Sequence, residues 1–535
     1  MSRNSKRKAR LREQEKEAES ILDWQNFMND KFSEVRKNKA MLLYTWYIGD
    51  SDMLSEAYLN ADVKVFSTNR SETRNSKTYF WSVATLEADV KKTHSGIPRV
   101  IGKTLINILD YPSFKIMTDK VNEETKEIES IEDTSNTERL IEIFEENNME
   151  TLVKQQQEPM TWVMGDGVLV PYMDPSISDL PLIEFIDARN CAYEVTSGKI
   201  TKVYIRKYFS QNNDSYMLLE ERGTTMFEGA RTAYIKSDLF KLSNNTDRHI
   251  SNHVTLDSID DTKDVKPYIV VKGIDEILAA PIIYDYEPLT ERGTSMFNEK
   301  MDLFDDLDQV LSQGANAVRT STPVEEIDES CLETDDNGNV IMPHRFDRRY
   351  IKFKNKGVNT IGEQGAPITS NVPQIDFAKY SNEALSILNN IITGLISPCT
   401  IGADISRKDN AEAQREKEKQ TMFTRAALIK LQTLAFKNIG NLVLKLDDVS
   451  HNRKPQDYDV VVDYEEYGNP TFDAKLQVLY PAFVAGGLSA ERYVEELWGD
   501  SLTEDEKKKE IEYLMSQKQN GMNIAADDPF NLDFE

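Results

Sequence analysis

At about 150 residues per domain, a chain of 535 residues holds three or four domain-sized units, and three cysteines cannot staple it. Cys191, Cys331 and Cys399 lie far apart, which excludes CxxC redox and structural zinc motifs, and a formal charge of −27 leaves no basic domain to wrap a nucleic-acid duplex. A mean hydropathy of −0.54, no apolar run of the ~18 residues that span a bilayer, and a charged opening SRNSKRKARLREQEKEAES predict a soluble, acidic, intracellular or virion protein.

Residues 1–34 form an N-terminal arm and helix. A basic cluster (Arg3, Lys6, Arg7, Lys8, Arg10, Arg12) turns abruptly into Glu13, Glu15, Glu17 and Glu19. It reads either as a solvated, partly helical tail or as a basic arm touching nucleic acid or an acidic partner. Residues 20–60 read as helix, with Ile21, Leu22, Trp24, Phe27, Met28 and Phe32 at helical spacing and a break at Gly49-Asp50. PRVIGKTLINIL is a further helical pattern. Residues 119–135 are acidic and aperiodic, which predicts an exposed loop or linker. A helix around 136–164 leads into the glycine-marked turn and strand GDGVLVPYMD. From 180 to 285 the chain becomes β-rich, as short runs such as CAYEV, KITKVYIRKYF and TAYIKSDLFKL split by polar turns.

At Pro288 the period returns to 3.6. Over 289–319, Met296, Phe297, Leu303, Phe304, Leu307, Val310, Leu311 and Val318 share a helical stripe that Gly314 and Ala315 continue. Asp302, Asp305, Asp306 and Asp308 lie largely off it, which predicts a wet acidic face. Residues 376–397 predict a second helix, capped by Asp376, striped by Phe377, Tyr380, Ala384, Ile387, Leu388, Ile391 and Leu395, and stopped by Pro398. Residues 410–447 predict a helix of about ten turns, capped by Asn410, with Met422, Ala426, Ile429, Ile439, Val443 and Leu446 on one face. The insert 320–375 holds strands NVIMP and RYIKFK beside the turn DDNGN. DYDVVVDYEE adds a strand, 472–519 is helical with a cap at Thr503, and the last fifteen residues are acidic and loose. The fold class is α+β, mainly helical with one strand-rich block.

No catalytic signature accompanies these elements. TSGKI has Gly198-Lys199 but neither the earlier glycine nor the Ser/Thr of a P-loop, and GDGVLV lacks the third glycine of a dinucleotide fingerprint. His249 and His253 are four apart with no third ligand in view, and the calcium-like ETDDNGNV has His344 where a bidentate Glu belongs. No catalytic residue, cofactor or metal is expected.

Five stretches occur in a recognisable order: WYIGDSDMLSEAY; IPRVIGKTLINILDYPSFKIMTD; WVMGDGVLVPYMD; TGLISPCTIGADISRKDNAEAQREKEKQTMFTRAALIKL; and VVVDYEEYGNPTFDAKLQVLYPAFVAGGLSAERYVEEL. On them, over roughly residues 35–515, the chain resembles the portal proteins of tailed bacteriophages, in the branch typified by long-tailed phages of Gram-positive hosts. The resemblance implies a ring, usually a dodecamer, with wing, stem, clip and crown. Residues 35–288 would be the wing, 289–319 and 376–397 the stem helices, and 320–375 the clip. Residues 398–409 would be the tunnel loop, 410–471 the long wing helix and closing strand, 472–520 the crown and 521–535 an acidic tail.

The tunnel loop would present Arg407, Lys408 and Asp404 to DNA, and Asp302, Asp305, Asp306 and Asp308 would line the channel. Ile341, Tyr350, Ile351 and Phe353 would bury against a neighbouring protomer in the clip. The implied partners are further copies of the chain, the terminase large subunit, a head-completion adaptor, and the major capsid and scaffolding proteins. Double-stranded DNA would pass without sequence specificity, and no membrane is involved. The implied location is the portal vertex of a virion, assembled in the host cytoplasm. The basic N-terminus and the acidic 119–135 depart from the family pattern.

Twelve copies at −27 each would repel phosphates and centre a duplex instead of holding it. Two other readings stay open: a scaffold or head-morphogenesis protein using the same helices as coiled coil, and a metal-dependent enzyme acting on nucleic acid. The strand-rich block argues against the first, and a chelator test discriminates the second.

Overall fold

The computed structural model describes residues 20–59, 79–82, 91–121, 128–243, 249–321, 324–328, 332, 334–338, 341, 349–353, 368–371, 376–402, 411–465, 479–481, 483, 488–498 and 504–519. The chain divides into two compact units, Met1–Tyr464 and Glu465–Glu535.

The first unit opens with helix α1 (residues 20–31), followed by α2 (Glu34–Ile48) and α3 (Ser51–Leu59). The break expected at Gly49-Asp50 is a C-cap followed by an N-cap. Gly49 sits at φ 77 with its N–H on the Thr45 carbonyl, and Asp50 Oδ1 accepts from the N–H groups of Asp52 and Met53. Helix α4 (Ile97–Leu109) starts with Pro98 in its first turn and buries Ile101, Leu105, Ile108 and Leu109.

Residues 119–135 differ from the loop expected of them. Strand β1 (Ser113–Val121) pairs antiparallel with β2 (Ile128–Glu132), Met117 opposite Glu132 and Val121 opposite Ile128. Asp133 then caps α5 (Thr134–Glu146), accepting from Asn136 N–H. The alternation that marks a strand is faint here because the sequence IESIE of β2 has no strict period of two, and an outer strand tolerates charge. A single turn Met149–Leu152 and a π-turn Val153–Gln157 lead to α6 (Glu158–Met164), so the helix expected over 136–164 is present but interrupted.

The β-rich stretch is as its alternation predicts. Strands β3 (Asp166–Tyr172), β4 (Leu182–Asp187), β5 (Cys191–Thr196), β6 (Lys199–Gln211), β7 (Asp214–Phe227), β8 (Ala230–Leu242), β9 (Ile250–Val254), β10 (Tyr268–Val271) and β11 (Ala280–Ile283) follow in order. The larger sheet runs β10-β8-β7-β6-β5 with β9 beside β8, and a smaller one runs β11-β3-β4. Ser197-Gly198, the pair inside TSGKI, is the two-residue turn between β5 and β6, both residues at positive φ. Helix α1 lays Ile21, Trp24, Phe27 and Met28 on the large sheet against Tyr204, Met217 and Phe240.

Residues 289–300 are not helical, contrary to expectation. A short hairpin of β12 (Tyr286–Glu287) and β13 (Arg292–Gly293) precedes α7, which spans Met301–Thr320. The hairpin wins because Arg292 Nε and Nη2 each lie 2.8 Å from the fully buried Asp166, whose Oδ2 also accepts from Gly293 N–H. Glycine is required there: a Cβ on Gly293 would stand 1.9 Å from the Gly165 carbonyl oxygen.

Beyond α7 lie β14 (Val324–Asp328), β15 (Arg349–Phe353) and β16 (Ile368–Asn371), then α8 (Phe377–Ile392). Asp376 caps α8 through Lys379 N–H as expected, but Gly394, at φ 83, ends the turn before Pro398 is reached. Helix α9 (Ala411–Ser450) is 40 residues long, and β17 (Asp459–Asp463) pairs with β1. The face expected along α9 holds only in its second half, where Ile439, Val443 and Leu446 are buried. Towards its start Met422 and Ala426 are exposed, while Thr421, Arg425, Leu428 and Gln432 turn inward. Polar residues hide that buried face from a hydropathy pattern.

Two clusters form the centre of this unit. One packs Phe436, Ile439 and Val443 of α9 against Phe114, Ile116, Leu140 and Phe144. The other gathers Trp46, Trp81 and Trp162 around Phe297, Phe304 and Leu307 of the α7 region and Ile391 of α8. In the second unit, α10 (Ala490–Trp498) and α11 (Glu504–Gln519) share a small core in which Phe483 stacks on Tyr493 at 4.6 Å. Asn410 and Thr503, the two other expected caps, lie outside the described residues. No helix among the described residues is long and apolar enough to cross a membrane.

Candidate functional site

Helices α7 and α8 pack side by side, and the segment between them contains the β14–β16 sheet. Lys300, just before α7, fixes the pair at one end: its ammonium donates to the carbonyls of Asn390 and Thr393 at 2.9 and 3.1 Å. Those carbonyls are the orphan acceptors at the end of α8, where a cation is also favoured by the helix dipole. Towards the other end the helices leave a groove of about 520 Å³ between Leu311, Gly314 and Val318 on α7 and Phe377, Ala384 and Leu385 on α8. Leu307 in its floor is buried, but several of its apolar residues are open to solvent. Leu311 is 38% exposed, Val318 57%, Phe377 46% and Leu385 48%.

The four carboxylates of α7 divide into two pairs. Asp302 and Asp306 are exposed, as a wet face requires. Asp305 and Asp308 depart from that expectation, since both are buried within the protomer. Asp305 accepts from Phe80 N–H at 2.8 Å and Trp81 N–H at 3.2 Å. Asp308 accepts from the Trp81 indole N–H at 3.1 Å and Ser95 N–H at 2.8 Å, and faces His94 Nδ1 at 2.7 Å. The physical reason is a supply of donors from residues 79–82 and 91–95, which a helical wheel drawn on α7 alone does not contain. Burial, with Asp306 and Asp308 nearby, pushes the Asp305 carboxyl up to about 6 against its two backbone hydrogen bonds. Asp306 is also raised, by partial burial and then by Asp302. Lys92 completes the cluster, donating to the Trp81 carbonyl at 2.9 Å over the Trp81 ring.

The insert between the helices pairs β14 parallel to β15 and antiparallel to β16. Tyr350, Ile351 and Phe353 lie on β15, opposite Glu325, Glu326 and Asp328 in register. Ile341 is 51% exposed and belongs to no strand, and most of NVIMP lies outside the described residues. After α8, Pro398–Ile401 forms a single 3₁₀ turn tied to α9 by Ser397 N–H on Thr421 Oγ1 at 2.8 Å. Asp404, Arg407 and Lys408 lie outside the described residues.

One carboxylate group among the described residues has the spacing for a metal ion, Asp275, Glu276 and Asp457. The Lys445 ammonium already stands there, 3.1 Å from Glu276 and 3.9 Å from Asp275. His253 lies on β9 and faces Asp238 at 3.2 Å.

No family model and no curated protein matches the sequence. Among solved structures, the chain is similar to one in the virion of a native gene transfer agent particle, with TM-score 0.36 and 9% identity over 74% of this chain and 87% of that one. It is similar to one in the neck of the empty particle, computed with C6 symmetry, with TM-score 0.38 and 8% identity over 76% and 90%. A third lies in the neck of the native particle, computed with C12 symmetry, with TM-score 0.34 and 10% identity over 68% and 89%. Likenesses this distant carry no functional argument.

Proposed function

We propose that the chain is a phage portal-type subunit, a structural protein that assembles into a ring through which double-stranded DNA passes. The observation that carries this reading is the α7–insert–α8 arrangement with an open apolar groove along the helix pair. A groove lined by Leu311, Val318, Phe377 and Leu385 is costly in water, at about 25 cal/mol per Å² of apolar surface. A second copy set side by side in a ring presents a different apolar face to it, which is the heterologous contact a closed ring needs. The resemblance of the five ordered sequence stretches to portal proteins supports the same assignment.

In this reading the insert 320–375 is the clip, which takes the packaging motor and later the head-completion adaptor, and 398–409 is the tunnel loop with Arg407 and Lys408 toward DNA. The protein supplies positioning and a repulsive wall, and chemistry on the DNA belongs to its partners. Light scattering after size exclusion tests the proposal. A closed ring near twelve times 61.3 kDa is expected. A dimer or an elongated rod points instead to the scaffold alternative.

A further inference from the structure

Away from the helix pair, α1, α2 and the large sheet enclose a cavity of about 640 Å³, within the range of small-molecule sites. Arg206, on β6, forms part of its wall. The residue is 5% exposed, yet no carboxylate lies within ion-pair distance of its guanidinium among the described residues. Nη2 donates to the Arg189 carbonyl at 2.7 Å, and Nε is buried without an acceptor. The guanidinium lies over the Phe32 ring, 4.5 Å from its centroid, and 5.7 Å from that of Tyr208. A buried charge ordinarily comes with a counter-charge and a full set of hydrogen bonds, because its desolvation is otherwise uncompensated. Burial does push this guanidinium downward from its ordinary value.

The rest of the wall adds to the imbalance. Lys37 lines the same cavity and pairs with Glu34 at 3.1 Å, so the carboxylate in the wall is already engaged, and Asp187, which also acts on the guanidinium, pairs with Arg189 at 2.7 Å. Counting Arg206, Lys37 and Glu34, the charged walls sum to one positive charge in a chain that is acidic overall. Asn29 and Asn38 add amides that can donate to oxygen.

We infer that this cavity is an oxyanion site, in which Arg206 and Lys37 bind the phosphate or carboxylate head of a small organic anion. The planar fork of a guanidinium suits two oxygens of one head group, and its stacking on Phe32 fixes the orientation before the anion arrives. The inference does not depend on the ring assignment, because both residues belong to the wall of a single protomer.

Isothermal titration calorimetry of the full chain with inorganic phosphate, and separately with acetate, at ionic strength fixed with chloride, tests it. Saturable binding of one anion per chain is expected, and the better ligand identifies the head group as phosphate or carboxylate. K37Q and R206K, each checked by circular dichroism, should weaken binding about tenfold or more, because the first removes a charge-assisted contact and the second replaces the planar two-pronged donor with a point charge. If R206K fails to fold, K37Q carries the comparison. No saturable heat with either anion overturns the inference. So does binding that K37Q leaves unchanged, which marks the general stabilising effect of such salts.

Discussion

His94 Nδ1 stands 2.7 Å from Asp308 Oδ2, and both side chains are shut away from solvent. In its Nδ1–H tautomer the ring donates to this carboxylate. The same Asp308 takes the Trp81 indole N–H and the Ser95 N–H, so one residue of α7 pins two separate stretches of chain, 79–82 and 91–95. Asp308→Ala leaves three buried donors unsatisfied and should cost about 3–5 kcal/mol. Asp308→Asn, which retains one acceptor, should cost less. Denaturant unfolding followed by tryptophan fluorescence measures both. An alanine variant within about 0.5 kcal/mol of wild type, the range of ordinary surface changes, would show that water takes over these bonds.

Asp305 makes the same anchor dependent on pH. Its ordinary value of 3.8 rises to about 6 in the folded chain. Below both values the carboxyl is protonated in either state and exacts no penalty. As pH rises from about 4 to 6 the unfolded chain releases its proton first, so stability falls, and above 6 the loss is complete. A shift near two pK units corresponds to about 3 kcal/mol. Asp305→Asn cannot ionise, so relative to wild type it should gain stability by about that much between pH 4 and pH 7. Melting of the two proteins across that window reads the difference directly, and parallel curves would exclude the effect.

Phe377 and Leu385 are the open apolar residues on α8, and neither packs into the cores within the protomer. Replacing both with Glu should therefore leave circular dichroism and melting close to wild type. If the proposed ring closes through this groove, the change should also abolish the ring in light scattering, because two buried charges at a neighbour contact cost several kcal/mol, at least ~3 each. A variant that still assembles would place the subunit contact away from this groove.

How far the sequence could be read depended on where the partners of each residue came from. The β-rich block from Leu182 to Ile283 and the Asp376 cap were legible because alternation and capping are local, as was the stripe of α7 around Phe304 and Leu307. The start of α7 was not, because Met296 and Phe297 are apolar at helical spacing yet the chain there follows Arg292 to Asp166, 126 positions away. Asp305 and Asp308 were misread for the same reason. On the helix they are indistinguishable from Asp302 and Asp306, and only donors more than 200 positions away, at Phe80, Trp81 and Ser95, make them interior. A hint lay in the tryptophan and histidine of 81–94, residue types that carry a polar handle into a core. The first half of α9 hid its buried face behind Thr421, Arg425 and Gln432.

That division leaves Asp302 and Asp306 as the acidic pair available to a channel. They are four apart on α7, so they repel each other, and Asp306 is raised in consequence of burial and of Asp302. Asp302 accepts one long bond, from Tyr79 Oη at 3.4 Å. Removing both charges relieves repulsion by about 0.2–0.5 kcal/mol but gives up the favourable interaction of Asp302 with the N-terminal end of α7, of about the same size, so Asp302→Asn with Asp306→Asn is expected to melt close to wild type. Function separates from stability at this point. If the pair faces the axis of a ring, the neutral variant loses repulsion against the phosphates, and DNA transit slows. The slowing should deepen as salt falls, since the screening length grows from ~8 Å at physiological ionic strength to about 30 Å at 0.01 M. Packaging rates for the two proteins at several ionic strengths make the comparison. Equal rates at every salt concentration would put Asp302 and Asp306 on the outer face of the proposed ring, with any repulsive wall supplied by other residues.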